Sequence, residues 1–248
     1  MKKYRTRRVI TVLCAFFAVI FWLLNSPNSF ENIFVPSENL PESESYSAVA
    51  VSKFDEKSPL ATEVLEKLEI KGRAPKTGYT RDEFYSSWPT VDGCNLRQRI
   101  LKRELGETAV LADDNCSVIS GEFDEPYTGS HLVFYQKSDL SNGLQIDHVV
   151  ALSDAWQKGA QNLSKDERFK LATDPLNLLA VDSATNQGKS DGDAATWLPP
   201  NKAFRCQYVA RQISVKYKYH LWVTDAENTA LKKVLENCPN EPAVGVNL

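Results

Sequence analysis

Gln145-Ile146-Asp147-His148-Val149-Val150-Ala151-Leu152 sets a carboxylate and an imidazole side by side in an otherwise apolar, largely β-branched run. The run reads as a buried strand. An ionisable pair inside such a strand costs free energy unless it is partnered or used. The chain has only three histidines, so the position of His148 is informative. Downstream, Asn177 lies in a second apolar run and Asn186 nine residues further on. That interval holds a strand, a tight turn and one or two helical turns, enough to bring Asn186 back beside Asp147.

The surrounding composition suits a folded domain. The chain has 248 residues, 42% of them hydrophobic, and a net charge of -3 with a pI near 5.7. No global basic excess marks a nucleic-acid binder, so any such contact must come from a local basic face. Lys2, Lys3, Arg5, Arg7 and Arg8 precede an apolar run over residues 9–24, broken only by Thr11, and then Asn25-Ser26-Pro27-Asn28. This is the layout of an export signal. At ~1.5 Å per residue the run spans roughly 24 Å, slightly short of a bilayer core. A small-x-small cleavage pattern is absent, which favours an uncleaved anchor over a cleaved signal. Either way the positive-inside rule places the bulk of the chain outside the cytoplasm. Residues 25–59 are rich in Ser, Glu, Pro and Asn and read as a flexible linker. A folded domain over 60–248 is expected to follow.

Setting aside Cys14 in the apolar run, Cys94, Cys116, Cys206 and Cys238 remain. An even number in an exported domain implies two disulfides. Of the three possible pairings, the sequence-local one, Cys94 with Cys116 and Cys206 with Cys238, is expected. A zinc site is the poorer reading, because no pair has C-x-x-C spacing.

Hydrophobic spacing predicts a helix from about residue 60 to Lys71-Gly72, then a loop-rich stretch to residue 92. In it Tyr79, Phe84, Tyr85 and Trp88 are expected to cover a core edge. A short helix over 96–105 carries Arg97, Arg99, Lys102 and Arg103 on its polar side. Alternation predicts β structure over 116–135, turning at Asp124-Glu125-Pro126-Tyr127-Thr128-Gly129, with His131 a structural residue. Ser153 is a plausible N-cap for a helix to residue 159, and Ser164-Lys165-Asp166-Glu167 is a capping box leading a helix to about 172. A strand over 176–181 and a short helix over 183–189 follow. Residues 201–220 carry Lys202, Arg205, Arg211, Lys216 and Lys218 without one acid. Such a run in an acidic protein points to a polyanion partner. Thr224 opens a last helix, to residue 235.

Strand, Asp-His, connection, Asn, then Asn on a short helix is the order of a ββα-metal nuclease site. Asp147-His148-Val149-Val150-Ala151-Leu152, Asn177-Leu178-Leu179-Ala180-Val181 and Ser183-Ala184-Thr185-Asn186-Gln187-Gly188-Lys189-Ser190-Asp191 resemble the HNH endonuclease family in its His-Asn-Asn variant. The match is to its exported bacterial branch, related to the GmrSD-type nuclease domain. Lys71-Gly72-Arg73-Ala74-Pro75-Lys76-Thr77-Gly78-Tyr79, Asp92-Gly93-Cys94-Asn95-Leu96-Arg97, the Asp124–Gly129 turn and Trp197-Leu198-Pro199-Pro200 extend the resemblance over 60–238. It implies an α+β fold: a ββα-metal core with additional helices and a small β element, after an N-terminal hydrophobic helix and a flexible linker.

The resemblance implies roles as well. His148 is the general base, and Asn177 orients it by holding the hairpin loop. Asp147 and Asn186 hold one divalent metal, Mg2+ from the hardness of the donors. Asparagine at the third motif position, often histidine, makes a tight zinc site improbable. Lys189, Arg97, Arg103, Lys202, Arg205 and Arg211 are the expected nucleic-acid contacts, to DNA before RNA. No small organic cofactor is implied, and the membrane is a partner only through an uncleaved amino terminus. The competing reading is an envelope-anchored, non-catalytic DNA-binding protein on the same fold.

Overall fold

The computed structural model describes residues 58–136 and 143–246. The expectations for residues 1–24, and for the linker up to residue 57, lie outside the described residues. Among the described residues no helix is long and apolar enough to cross a membrane.

The first helix, α1 (Ala61–Leu65), is shorter than its apolar spacing predicts. The chain leaves the helix after Leu65 in turns and forms isolated bridges, Leu60 with Pro242 and Ile70 with Val223. The loop that follows reaches a two-stranded ribbon, β1 (Thr90–Val91) and β2 (Cys94–Asn95). Helix α2 (Leu96–Leu105) has the predicted bounds. Asn95 caps it by accepting from Arg97 N, and its buried stripe is Leu96, Ile100, Leu101 and Leu105.

Strands β3 (Val110–Leu111), β4 (Val118–Asp124) and β5 (His131–Tyr135) form an antiparallel sheet in that order. A Cβ at Gly121 would meet the Leu105 side chain at 3.1 Å and Thr108 O at 3.2 Å, so glycine lets the sheet lie against the end of α2. His131 is exposed between Asp124 and Glu122, at 2.9 and 3.4 Å, and both carboxylates raise its pKa.

The central hairpin pairs β6 (Leu144–His148) with β7 (Leu178–Asp182), and α5 (Ser183–Lys189) leads straight out of β7. Helices α3 (Leu152–Gln157) and α4 (Lys165–Thr173) fill the connection. The Ser164 capping box stands as predicted. Ser153 is not an N-cap: Ala151 takes that place, and Ser153 Oγ bonds Asp191 at 3.0 Å. Helices α6 (Arg205–Lys218) and α7 (Asp225–Leu235) complete the chain, with Thr224 capping α7.

The hairpin is buried on both faces, which explains its unbroken apolar run. Leu144, Ile146, Leu178 and Ala180 pack with the α2 stripe. Leu179 and Val181 pack with Tyr208, Val209 and Ile213 of α6 and Leu231 of α7. A third cluster sets Phe84 and Tyr85 from the loop against Ala155, Trp156 and Leu171. Disulfides join Cys94 to Cys116 and Cys206 to Cys238, the sequence-local pairing.

Charged residues from several elements form a buried ionic cluster. Lys158 Nζ reaches Asp154, Asp193 and Glu227, each at 2.7 Å, with no side-chain exposure of its own. Lys216 bonds Asp154 and Glu227, and Arg73 bonds Asp154 and Asp193. Three cations meet three carboxylates, so the cluster is neutral. Burial would depress Lys216, but Asp154 and Glu227 hold its pKa well above the ordinary value. Lys216 therefore belongs to the interior, although its sequence neighbourhood reads as a basic surface.

Candidate active site

Cross-strand partners share a face. Asp147 pairs with Leu179 and His148 with Leu178, so the two titratable groups lie on opposite faces of the hairpin.

On the Asp147 face the Asp124–Gly129 turn delivers Tyr127. The buried Glu125 carboxylate accepts from the backbone N–H groups of Tyr127 and Thr128 at 2.9 and 2.7 Å, which fixes the turn. The turn is docked in addition by Asn201, whose N–H donates to Tyr127 O and whose amide donates to Pro126 O. Tyr127, fully buried among Trp197, Phe204 and Tyr208, donates its hydroxyl to Asp147 at 2.5 Å. Lys189, at the end of α5, donates to Asp147 at 3.0 Å and to His148 O at 2.9 Å. Burial pushes the Asp147 pKa up, and Lys189 and Tyr127 pull against it. Asn186, one turn back on α5, gives its amide N–H to Gln145 Oε1 at 2.9 Å, which leaves its own amide oxygen as an acceptor.

On the other face His148 is almost fully buried, and its Nε2 lies 2.9 Å from Ala172 O at the end of α4. A carbonyl only accepts, so Nε2 carries the proton and Nδ1 bears the lone pair. The ring stacks on Trp88 with centroids 6.0 Å apart and planes within 4°, and Tyr85 lies beside it at 5.9 Å. Burial pulls the His148 pKa down from 6.5 to about 3; the Ala172 bond opposes this, while the charges of Arg81 and Lys189 add to it. The imidazole is therefore neutral at pH 7.

Asn177 ties the parts together. Its Oδ1 accepts from Val150 N at 2.8 Å, and its Nδ2 donates to Leu171 O at 3.2 Å and Val150 O at 3.4 Å. One buried side chain thus joins the segment after His148, helix α4 and the approach to β7.

Several cations expected as nucleic-acid contacts have partners within the protein. Lys189 is buried against Asp147. Arg211 is half-buried and donates to the carbonyls of Leu176, Pro175 and Leu178, and desolvation lowers its pKa to about 10. Arg103 donates to Pro175 O and Leu178 O and pairs with Glu104. Arg97 bonds Leu144 O, and Arg205 bonds Pro199 O. For Arg103, Arg205 and Arg211 the physical reason is shared: the turn into β7 and the loop before α6 present carbonyls that long guanidinium side chains satisfy. Lys202 is exposed. The sequence reading missed Tyr127, Tyr85, Trp88 and Arg81. Three aromatics and an arginine closely spaced in a loop are the one local signal that marks the last three.

The donors fit a hard divalent cation by their chemistry: a carboxylate from Asp147 and an amide oxygen from Asn186. The pocket around Asp147 accepts positive charge, as the Lys189 ammonium shows. That same ammonium already occupies both carboxylate oxygens, so it and a metal compete for them.

A strand-loop-strand-helix unit with an Asp-His pair at the strand end and a neutral, fixed imidazole defines an α+β protein built on a ββα core. The family model for GmrSD restriction endonucleases, C-terminal domain, matches residues 96–234. The chain belongs to that family, a nuclease family. It is 38% identical over 181 residues to a protein of Arthroderma benhamiae named an uncharacterized secreted protein, covering 72% of this chain and 84% of the relative. No solved structure matches the chain.

Proposed function

We propose that the chain is an exported endonuclease of the HNH type that hydrolyses phosphodiester bonds in nucleic acid, DNA before RNA, with little sequence preference. The observation that carries this is the state of His148. Its Nε2–H is pinned to Ala172 O, its ring is clamped by Trp88 and Tyr85, and its Nδ1 is left as a base. A fixed, neutral imidazole takes the proton from an attacking water. Asn177 holds the segment that follows the base, and Asp147 and Asn186 would hold one divalent metal, Mg2+ by donor hardness. When bound, the metal supplies positive charge to the phosphate in its transition state. The name of the secreted relative and the two disulfides support export to an oxidising compartment.

The test is nicking of supercoiled plasmid by the full chain. Activity with Mg2+ that EDTA abolishes is the expected result. Persistent absence of nicking across Mg2+, Mn2+ and Ni2+ contradicts the proposal. One observation favours the non-catalytic alternative: Lys189 neutralises Asp147 with no metal needed. On that reading His148→Ala retains DNA and the wild type never cuts.

A further inference from the structure

We infer that Arg81 is the residue that receives a substrate phosphate beside His148, with Tyr85 as its platform. The inference rests on the nuclease reading above and names the group that anchors the substrate.

The loop holding Arg81 is firmly built. Residues Arg81–Glu83 form one helical turn, and Phe84 and Tyr85 then drop into the core beside Ala155, Trp156 and Leu171. Arg168 of α4 clamps the turn from below, donating to Glu83 O at 2.8 Å and pairing with the Glu83 carboxylate at 3.1 Å. The two ends of this short segment are thereby fixed around one imidazole. Trp88 covers its face, and Tyr85 lies beside it with Arg81 stacked outside.

The guanidinium of Arg81 is placed unlike any other among the described residues. Arg73, Arg97, Arg99, Arg103, Arg168, Arg205 and Arg211 each give an N–H to a carboxylate or a backbone carbonyl. Arg81 is exposed, lies 5.0 Å over the Tyr85 ring and donates to that ring's hydroxyl. A guanidinium carries five N–H donors in a planar fork that matches two phosphate oxygens. Only the phenol draws on this one, so the fork is free for an anion.

Position makes the anion a substrate phosphate. The Tyr85 ring that supports Arg81 has its centroid 5.9 Å from that of His148. A phosphodiester drawn to this fork comes to rest beside the base that activates water. The tyrosine holds the fork by stacking, which lowers the entropy lost when the phosphate binds.

The experiment measures binding and cleavage separately. Wild type, Arg81→Ala, Arg81→Lys and Lys202→Ala full chains are titrated into a fluorescein-labelled DNA 12-mer in EDTA, across a salt series. Arg81→Ala is expected to weaken binding about tenfold and to lower the salt slope by about 0.7–0.9, one phosphate contact. Arg81→Lys, which keeps charge but not the fork, should keep the slope and lose several-fold in affinity. Plasmid nicking by Arg81→Ala should fall with its affinity. Equal affinity and slope in Arg81→Ala and wild type overturn the inference, whether or not cleavage changes. So does a wild type that binds no DNA. A wild type that binds through Arg81 and never cuts overturns only the nuclease reading.

Discussion

At the residue scale, the decisive contact is Lys189 against Asp147. Breaking a buried ion pair by removing one partner costs about 3–5 kcal/mol, because the remaining charge is left without compensation. Lys189→Met is expected to lose stability of that order in EDTA. Millimolar Mn2+ should then raise its melting temperature more than that of the wild type, since the carboxylate no longer has an internal cation. Equal Mn2+ responses would separate Asp147 from the metal. Asp147, His148, Asn177 and Asn186 were all legible in the sequence, because motif order places them. What holds them was not: Ala172 O, Trp88 and Tyr127 come from distant turns, and no local spacing signals a contact of that kind. Lys189 was legible as the last residue of a helix but not as a buried one. A lysine at a helix end reads as solvated unless its acceptors are seen.

At the element scale, the ββα unit owes its position to polar side chains as much as to its apolar faces. Arg211 donates to the carbonyls of Leu176, Pro175 and Leu178, the turn from which β7 starts. Arg211→Ala is expected to cost roughly 2 kcal/mol or more, by leaving buried carbonyls unpaired. DNA affinity should stay as in wild type, because the guanidinium is taken up by these carbonyls. Urea denaturation beside anisotropy separates the two. An affinity loss with unchanged stability would restore the phosphate-facing role that the acid-free sequence run suggests. Helix α2 was legible from its apolar stripe and α4 from its capping box. Helix α1 was not, since its apolar spacing continues past Leu65 while the chain turns toward Val223.

At the scale of the whole molecule, the buried ionic cluster joins Arg73, α3, the loop after α5, α6 and α7. Burial would raise the Asp193 pKa, but Lys158 and Arg73 hold it at about 2. A carboxyl depressed on folding contributes stability that is present above its unfolded pKa and lost as pH falls through the folded value. From the unfolded value near 3.8 to about 2 this amounts to roughly 2 kcal/mol. Chemical denaturation at pH 7, 4 and 2 should show little change over the first interval from this group and its loss over the second. Stability independent of pH between 4 and 2 would show that the cluster does not hold Asp193 ionised. The flanking motifs that extend the family resemblance find their purpose here. Arg73 reaches Asp193, and the Asp124–Gly129 turn carries Tyr127 to Asp147. The sequence marks these stretches as belonging together, and only the fold shows that they surround one hairpin.

The central claim, that His148 takes the proton from water, has a direct test. Plasmid nicking by His148→Gly with Mg2+ is measured with and without added imidazole. A loss of at least about a hundredfold, partly restored by imidazole filling the vacated space, is the expected result. Nicking by His148→Gly at the wild-type rate would contradict it.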